Sequence, residues 1–280
     1  MTAPLLRVAD LPRRALMGIV NVTPDSFSDG GQFLDADRAI AHGLALAAAG
    51  AAVLDVGGES TRPGAEPVSA NDEIARVLPV VTALARDANV PVSIDTAKAE
   101  VAAAALEAGA RMVNDVTGGA DPAMLPLVAG ERAAYVAMHM RGTPRSMQQQ
   151  TDYGDVVRDV ITELRTRVDA AHAAGVAPDA LFADPGIGFA KTGEQNLALL
   201  RALPEIAAAV GAPLLIGTSR KSFLTRIAGE AGREDATLAT TVWSFELGAA
   251  MVRVHDVASS ARAVALLEVL ERATPEGMAA

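Results

Sequence analysis

A short pattern recurs along this chain: an Ala/Leu-rich segment, a glycine, and then a run of apolar residues. It occurs as AAAGAAVLDV, LEAGARMVNDV, AAVGAPLLIG and ELGAAMVRVHDV. Glycine adopts the left-handed conformation that ends many helices. The pattern therefore predicts helix ends at Gly50, Gly109, Gly211 and Gly248, each followed by a buried strand.

The chain contains eight apolar runs that are predicted to be strands, at residues 16–22, 53–56, 92–95, 112–116, 135–139, 181–184, 214–217 and 251–255. They are mostly continuous rather than alternating, as in parallel strands buried on both faces. Eight βα units predict a single (β/α)8 TIM barrel, an α/β fold with its active site at the carboxyl ends of the strands. A doubly wound open sheet is the alternative. We expect one domain over residues 1–280, a first strand from near residue 16, and a disordered tail from about residue 273 to 280.

Composition narrows the class of function. The formal net charge is −10, and nucleic-acid binding needs a basic face, so no nucleic-acid partner is expected. The chain has no cysteine, which excludes disulfides, thiolate metal sites and a cysteine nucleophile. The most apolar tract is too short to cross a bilayer, and the first residues lack an apolar signal core. We expect a cytoplasmic protein without a membrane partner.

Polar residues stand at the end of each predicted strand. They are Asn21, Asp55, Asp95, Asn114, Asp115, His139, Asp184, Ser219, Arg220, Lys221, Arg253, His255 and Asp256. In a barrel the carboxyl ends of all strands meet at one rim, so these side chains are predicted to converge there. An aspartate after a strand can also simply cap the next helix, and this explanation is equally good for Asp55 and Asp115.

Two groups at this rim indicate two kinds of ligand chemistry. One group is cationic and suits an anion: Arg62, Lys221, Arg253 and His255. The other group is Asp95, Asn114 and Asp184. Because recessed carboxylates need N–H donors, this second group predicts an amino-substituted planar heterocycle as its ligand.

Eight segments, in this order, resemble the dihydropteroate synthase family: GIVNVTPDSFSDGG, DVGGESTRPGA, SIDT, NDV, MHMRGTPRSMQ, DPGIGFAKT, SRKSF and RVHDV. The similarity extends from about residue 16 to residue 257. Each segment alone is a weak signal, but eight in order are highly specific. The resemblance implies a barrel enzyme of folate biosynthesis that uses Mg2+ and is a target of sulfonamides. Its reaction joins 6-hydroxymethyl-7,8-dihydropterin diphosphate to 4-aminobenzoate through an SN1-like pterin cation and releases pyrophosphate.

The same resemblance implies roles for individual residues. The pterin ring would be held by Asp95, Asn114, Met138, Asp184 and Lys221. The diphosphate would be bound by Asn21, Arg253 and His255, with Asn21 also contacting Mg2+. The 4-aminobenzoate site would be formed by Phe27, Thr61, Arg62, Pro63, Phe189 and Ser222. The residues that take part in the chemistry would be Asp29, Lys221, Arg253 and His255.

The segment NVTPDSFSDGG, residues 21–31, is longer and more polar than a simple connection requires, since most connections have about 2–6 residues. The resemblance implies that Asp29 favours the pterin cation electrostatically. We therefore interpret this segment as a lid that closes over the ring and excludes water. Asn21 would anchor the lid at its start, and Gly30 and Gly31 would give it a flexible end.

Two other functions are compatible with part of the sequence. A pterin-binding methyltransferase acting with a corrinoid protein would share Asp95, Asn114 and Asp184, but it has no use for Arg253, His255 or the SRKSF segment. A non-catalytic pterin-binding paralogue would be expected to have lost part of the first loop or the lysine motif, and both are present. We expect a homodimer, for which TLATTVWSFELGAAM could supply the interface, although these residues could equally be core.

Overall fold

The computed structural model describes residues 5–22, 32–62 and 64–273, with the backbone alone for residues 32–35. Its strands are β1 (Ala15–Asn21), β2 (Val53–Gly57), β3 (Val92–Asp95), β4 (Met112–Asp115), β5 (Ala134–Met138), β6 (Leu181–Asp184), β7 (Leu215–Ile216) and β8 (Met251–Val254). All eight predicted strands are present, and their ends differ from the predicted ends by at most one residue.

The strands form one parallel sheet in the order β6-β5-β4-β3-β2-β1-β8-β7. Neighbours in the sheet are therefore neighbours in the chain, except that β1 also pairs with β8. A parallel bridge between Ala183 and Leu214 joins the two outer strands, and Ala183 donates its N–H to the Pro213 carbonyl at 3.0 Å. The sheet thus closes into the predicted barrel, which excludes the doubly wound open sheet.

The helices surround the barrel. In the part of the chain that the structure describes they are α1 (Gln32–Ala48), α2 (Ala70–Asp87), α3 (Ala99–Glu107), α4 (Met124–Glu131), α5 (Val156–Ala173), α6 (Gly193–Arg201), α7 (Leu203–Val210), α8 (Ser222–Ala228), α9 (Arg233–Glu246) and α10 (Val257–Arg272). The four glycines predicted at helix ends, Gly50, Gly109, Gly211 and Gly248, all have positive φ, between 72° and 110°. That prediction is confirmed. None of the helices in the described ranges is long and apolar enough to cross a membrane.

Side chains alternate between the two faces of each strand. This alternation gives two apolar clusters, one outside and one inside the barrel, and directs polar side chains to the interior at its carboxyl end. Leu54, Val56 and Ile94 belong to the cluster between strands and helices, whereas Val53, Phe182 and others fill the amino end of the barrel interior. Successive side chains on a strand point to opposite faces, so residues two apart share a face. The interior residues are continued toward the carboxyl end by polar ones: Val53 by Asp55, Met112 by Asn114, Phe182 by Asp184 and Met251 by Arg253.

Candidate active site

The carboxyl end of the barrel holds a group of polar side chains from five strands. We call Asp55, Asp95, Asn114, Asp184 and Arg253 the mouth cluster. The three carboxylates and the amide are 0–8% exposed. Because burial of such groups is costly without partners, their contacts determine what the site can bind.

Arg253 joins two of the three acidic members of the mouth cluster, Asp55 and Asp95. Its Nε donates to Asp55 Oδ2 at 2.6 Å, and its Nη2 donates to Asp95 Oδ2 at 2.7 Å. The sequence predicted Arg253 in a cationic group apart from Asp95, and that separation is wrong, because the two side chains are hydrogen-bonded. Two buried carboxylates need a positive partner, and the long side chain of Arg253 reaches them across the mouth.

Asp55 also fixes the amide of Asn114, whose Nδ2 donates to Asp55 Oδ2 at 3.0 Å. With its Nδ2 turned to Asp55, Asn114 keeps its amide oxygen as an acceptor for another group. From the sequence alone, Asp55 could equally well cap the next helix or belong to the site. The structure places it among the site residues, where it contacts both Asn114 and Arg253.

Two acceptors of the mouth cluster have no donor within the described residues: Asp55 Oδ1 and Asp95 Oδ1 are buried and accept no hydrogen bond there. Leaving a buried acceptor unsatisfied costs about 1–3 kcal/mol. Burial raises the pKa of Asp95 to about 7, and the charge of Arg253 opposes this shift. A ligand that presents N–H groups would satisfy both oxygens.

Asp184, Lys221 and Phe189 lie next to one another on the β6 side of the mouth. Asp184 Oδ1 accepts the N–H of Gly186 at 2.7 Å. Lys221, which precedes α8, donates to the carbonyl of Ile187, and its Nζ lies 4.5 Å from the centroid of the Phe189 ring. Burial lowers the pKa of Lys221 to about 8, and Asp184 opposes the shift; burial also raises the pKa of Asp184. These residues thus combine a cation, an anion and an aromatic face.

His255 follows β8 directly and is oriented by Ser219. Ser219 Oγ accepts the backbone N–H of His255 at 3.2 Å, so its own hydrogen can be donated to His255 Nδ1 at 2.8 Å. Burial lowers the pKa of His255 to about 3, and the charges of Arg253, Arg220 and Arg62 lower it further. The ring is neutral at pH 7 with its proton on Nε2, which is a donor suited to an anionic oxygen. From sequence, Ser219 was predicted to lie at the rim, but its contact with His255 was not.

Asn21 is the last residue of β1 and is half-buried. It pairs with Gly57 of β2, while the other edge of β1 pairs with β8, the strand of Arg253. Within the described ranges, no group of three or more His, Asp or Glu side chains forms a cluster that could hold a metal ion.

Met138 ends β5 and is 2% exposed. It packs with Val116, Met140 and Met147, and Phe189 packs against the same cluster. This apolar group lies beside Asp184, because Met138 and Asp184 are partners in the β5–β6 register. It offers a flat ligand an apolar face next to the carboxylate.

The predicted 4-aminobenzoate residues are only partly assembled. Thr61 is half-buried, Arg62 and Ser222 are exposed, and no hydrogen bond or ion pair joins them to the mouth cluster in the described part of the chain. The charge of Arg62 nevertheless reaches His255, whose pKa it lowers. Phe27, Asp29 and Pro63 lie outside the described residues.

Asp115 does not point into the mouth, although the sequence placed it at the rim. It accepts the N–H groups of Thr117 and Gly119, both at 2.8 Å, and the hydroxyl of Tyr135 at 2.8 Å. Its neighbour Asn114 faces the interior, and alternation turns Asp115 to the helices. It stabilises the turn after β4.

His139 is a second exception to the predicted convergence. It is fully buried behind β5, between Glu163 at 2.9 Å and Lys191 at 3.0 Å. Met138 faces the mouth, so the next residue faces α5. The expectation that every strand-end polar residue meets at the rim is therefore wrong for Asp115 and His139.

Known proteins resemble this chain in sequence and in fold. A family model described as pterin binding enzyme matches residues 17–255. The dihydropteroate synthase of Mycobacterium leprae is 50% identical over 271 residues, which cover 93% of this chain and 95% of that protein.

Solved structures agree with this match. The Xanthomonas albilineans dihydropteroate synthase with 4-aminobenzoic acid superposes with a TM-score of 0.88 at 42% identity, covering 94% of each chain. The Yersinia pestis dihydropteroate synthase with a sulfonamide drug gives a TM-score of 0.88 at 39% identity, covering 96% of this chain and 97% of that one.

Proposed function

The chain belongs to the dihydropteroate synthase family of pterin-binding enzymes, and we propose that it joins 6-hydroxymethyl-7,8-dihydropterin diphosphate to 4-aminobenzoate. The products are 7,8-dihydropteroate and pyrophosphate, and the enzyme is a transferase of folate biosynthesis. The observation that carries the proposal is the mouth cluster, in which the buried carboxylate of Asp95 keeps one acceptor oxygen that no donor of the described residues reaches.

The mouth cluster suits the edge of a pterin ring, which presents several N–H donors. We assign the ring to Asp95, Asn114 and Asp184, with Met138 against its face and Lys221 beside it. The free oxygen of Asp95 and the amide oxygen of Asn114 can both accept from the ring. Charge-assisted hydrogen bonds of this kind are about twice as strong as neutral ones, so Asp95 and Asp184 would contribute most to affinity.

We assign the diphosphate to Asn21, Arg253 and His255. Mg2+ usually combines one or two protein oxygen ligands with substrate phosphates and water. The half-buried amide of Asn21 at the end of β1 fits that pattern, so Asn21 would hold the ion together with the diphosphate. When bound, Mg2+ would neutralise charge on the leaving group.

The reaction breaks the C–O bond between the pterin methylene and the diphosphate. The electron pair leaves with the diphosphate, where Arg253 and the Nε2–H of His255 stabilise the negative charge without a proton transfer. The amine lone pair of 4-aminobenzoate then forms the C–N bond to the methylene cation, and the amine proton passes to solvent. Asp29 would favour the cation electrostatically, and the segment that carries it would exclude water.

We assign 4-aminobenzoate to Phe189 and Ser222, completed by Thr61, Arg62, Pro63 and Phe27. The support is the position of Phe189, whose ring faces Lys221 at the edge of the mouth. Arylsulfonamides resemble 4-aminobenzoate in shape and charge. They are therefore expected to compete for this pocket.

A pyrophosphate-release assay tests the function. The purified protein is incubated with the pterin diphosphate, 4-aminobenzoate and Mg2+, and each component is omitted in turn. Pyrophosphate and dihydropteroate should form together only in the complete mixture. Absence of both from the complete mixture would refute the proposal.

Three further predictions go with this function. We propose one domain over residues 1–280, a cytoplasmic location and a homodimer. In support of the homodimer, Trp243 on α9 is 47% exposed and Ile227 on α8 is 63% exposed. Thr237, Thr241 and Phe245 of the same α9 are buried, so the segment is part core and part surface.

A further inference from the structure

A second polar network lies behind the mouth cluster, and the mechanism above does not use it. It consists of Lys191, His139, Glu163 and Arg141. Lys191 is 3% exposed and His139 is fully buried. A buried ammonium group is costly unless every one of its hydrogens has an acceptor.

Lys191 meets this requirement completely. Its Nζ lies 3.0 Å from His139 Nδ1, 3.0 Å from the carbonyl oxygen of Gly186 and 2.8 Å from that of Phe189. Three hydrogens therefore have three acceptors. Because His139 Nδ1 accepts, the proton of the neutral ring is on Nε2, which donates to Glu163 Oε2 at 2.9 Å.

The network continues to the surface. Arg141 Nε donates to Glu163 Oε1 at 2.9 Å, and the Arg141 guanidinium lies 3.9 Å from the centre of the Tyr153 ring. Burial lowers the pKa of His139 to about 4, so the ring is neutral at pH 7. A neutral imidazole thus connects a buried cation to a carboxylate on α5.

The backbone that Lys191 holds is the turn from β6 to α6. Gly186 lies near its start and Phe189 near its end, and Lys191 binds the carbonyl oxygens of both. The backbone is left-handed at Gly186, with φ of 68°, which glycine adopts without strain, and at Ala190, with φ of 52°, where the Cβ makes this conformation strained. Strained backbone of this kind persists only where surrounding contacts determine it.

The same turn carries the groups that face Lys221. The Ile187 carbonyl accepts from Lys221 Nζ, and the Phe189 ring lies 4.5 Å from that atom. A shift of the turn would move both. The Lys191 ammonium is therefore connected to the mouth through backbone, without touching it.

We propose that Lys191, oriented by His139 and Glu163, is a positioning residue for 4-aminobenzoate: it fixes the 186–189 turn and so places Phe189 beside Lys221. This inference rests on the proposed function, because that function assigns Phe189 to the arylamine site. The backbone of Asp184 is fixed in β6, although its carboxylate also accepts the N–H of Gly186 at 2.7 Å. The pterin site should therefore depend on Lys191 less than the arylamine site does.

Because the proposal depends on the charge of Lys191, it predicts that binding of 4-aminobenzoate changes with pH. Burial lowers the pKa of Lys191 to about 7. The charged groups around it are Asp184 and Glu163, which raise this pKa, and Lys221 and Arg167, which lower it. Above this pH the amine is neutral and has one donor fewer, so 4-aminobenzoate should bind more weakly as pH rises.

The first test is Lys191→Met, which keeps the length of the side chain and removes its charge and donors. We expect the KM for 4-aminobenzoate to rise about tenfold or more, while the calorimetric Kd for the pterin diphosphate changes less than about threefold. An unchanged KM would overturn the proposal. Equal loss of both affinities with a lower Tm would also overturn it, because that result indicates a general structural role.

The second test substitutes Glu163, which is only half-buried, so the substitution disturbs the fold less than one at Lys191. Glu163→Gln keeps an acceptor for His139 and removes a charge that raises the pKa of Lys191. The rise in the KM for 4-aminobenzoate should therefore begin at lower pH than in the wild type. Asp169→Asn, an equal charge change at an exposed position of α5, is the control and should leave the profile unchanged.

The outcomes separate the two proposals. A wild type that releases no pyrophosphate refutes the function and this inference with it. An active wild type whose pH profile is the same in Glu163→Gln refutes the positioning role alone. If Asp169→Asn shifts the pH profile of this KM as much as Glu163→Gln does, the positioning role is also overturned. The effect would then come from the net charge of the protein and not from the contact with His139.

Discussion

Arg253 and Asp95 lie 158 residues apart in the chain, yet the guanidinium donates to the carboxylate at 2.7 Å across the mouth of the barrel. A second hydrogen bond, to Asp55 at 2.6 Å, holds the same guanidinium. Since Oδ1 of Asp95 accepts no hydrogen bond among the described residues, a ring N–H can bind there while Oδ2 keeps the guanidinium. In the proposed function Arg253 is thus shared between the ring site, through Asp95, and the diphosphate.

Replacing Asp184 with asparagine should weaken binding of the pterin diphosphate about 10–100-fold. The variant keeps the shape of the side chain but removes a charged acceptor, and hydrogen bonds to charged groups contribute about 1.5–3 kcal/mol. Isothermal titration calorimetry measures the effect, with Asp169→Asn as a surface control. Near-native affinity of the Asp184 variant would contradict its assignment to the ring.

Asp55→Asn should weaken pterin binding although Asp55 need not touch the ligand. Its carboxylate orients Asn114 and Arg253, and residues in one hydrogen-bond network are coupled by about 0.5–3 kcal/mol. The substitution should therefore cost less affinity in an Asn114→Ala background than in the wild type. Strictly additive losses in this double-mutant cycle would show that Asp55 does not act through Asn114.

Affinity for the pterin diphosphate should fall as pH rises above 8. Burial lowers the pKa of Lys221 to about 8, so the cationic side chain is lost through this range. Lys221→Arg stays protonated up to about pH 12 and should lack the alkaline loss, even if its affinity at pH 7 is lower. Titration calorimetry between pH 6.5 and 9.5 compares the two proteins. An identical alkaline loss in both would exclude Lys221 as its origin.

Gly186→Ala should destabilise the protein much more than Gly211→Ala. Both glycines have positive φ, 68° and 72°. A Cβ at Gly186 would overlap the carbonyl oxygen of His139, whereas at Gly211 it would meet open space. We expect losses of about 3 kcal/mol and about 1 kcal/mol respectively in the free energy of unfolding, measured in urea. Equal losses would mean that the turn can move away from His139.

Local patterns were sufficient to predict the fold. Continuous apolar runs such as 112–116 and 181–184 gave strands whose ends are correct to one residue, because burial on both faces leaves few other arrangements. Glycine at a helix end is likewise a local requirement, and Gly50 and Gly109 have the predicted conformation.

The contacts of the site depend on the direction in which each side chain points and on its distance from residues remote in the chain. Neither could be predicted from the sequence. Asp115 and His139 follow strands as Asp95 does, but the pleat turns them to the helices. Arg253 was expected near phosphate, which stays a prediction; its contact with Asp95 was not expected, since only a folded barrel shows which partners its side chain can reach. Ser219 and Asp55 gave no sequence signal strong enough to assign a role.

A crystal structure with the pterin diphosphate bound tests the central claim most directly. We predict the edge of the ring against Asp95, Asn114 and Asp184, with the diphosphate toward Arg253, His255 and Asn21. A ring bound elsewhere on the protein, or turned so that the diphosphate faces Asp184, would contradict the account.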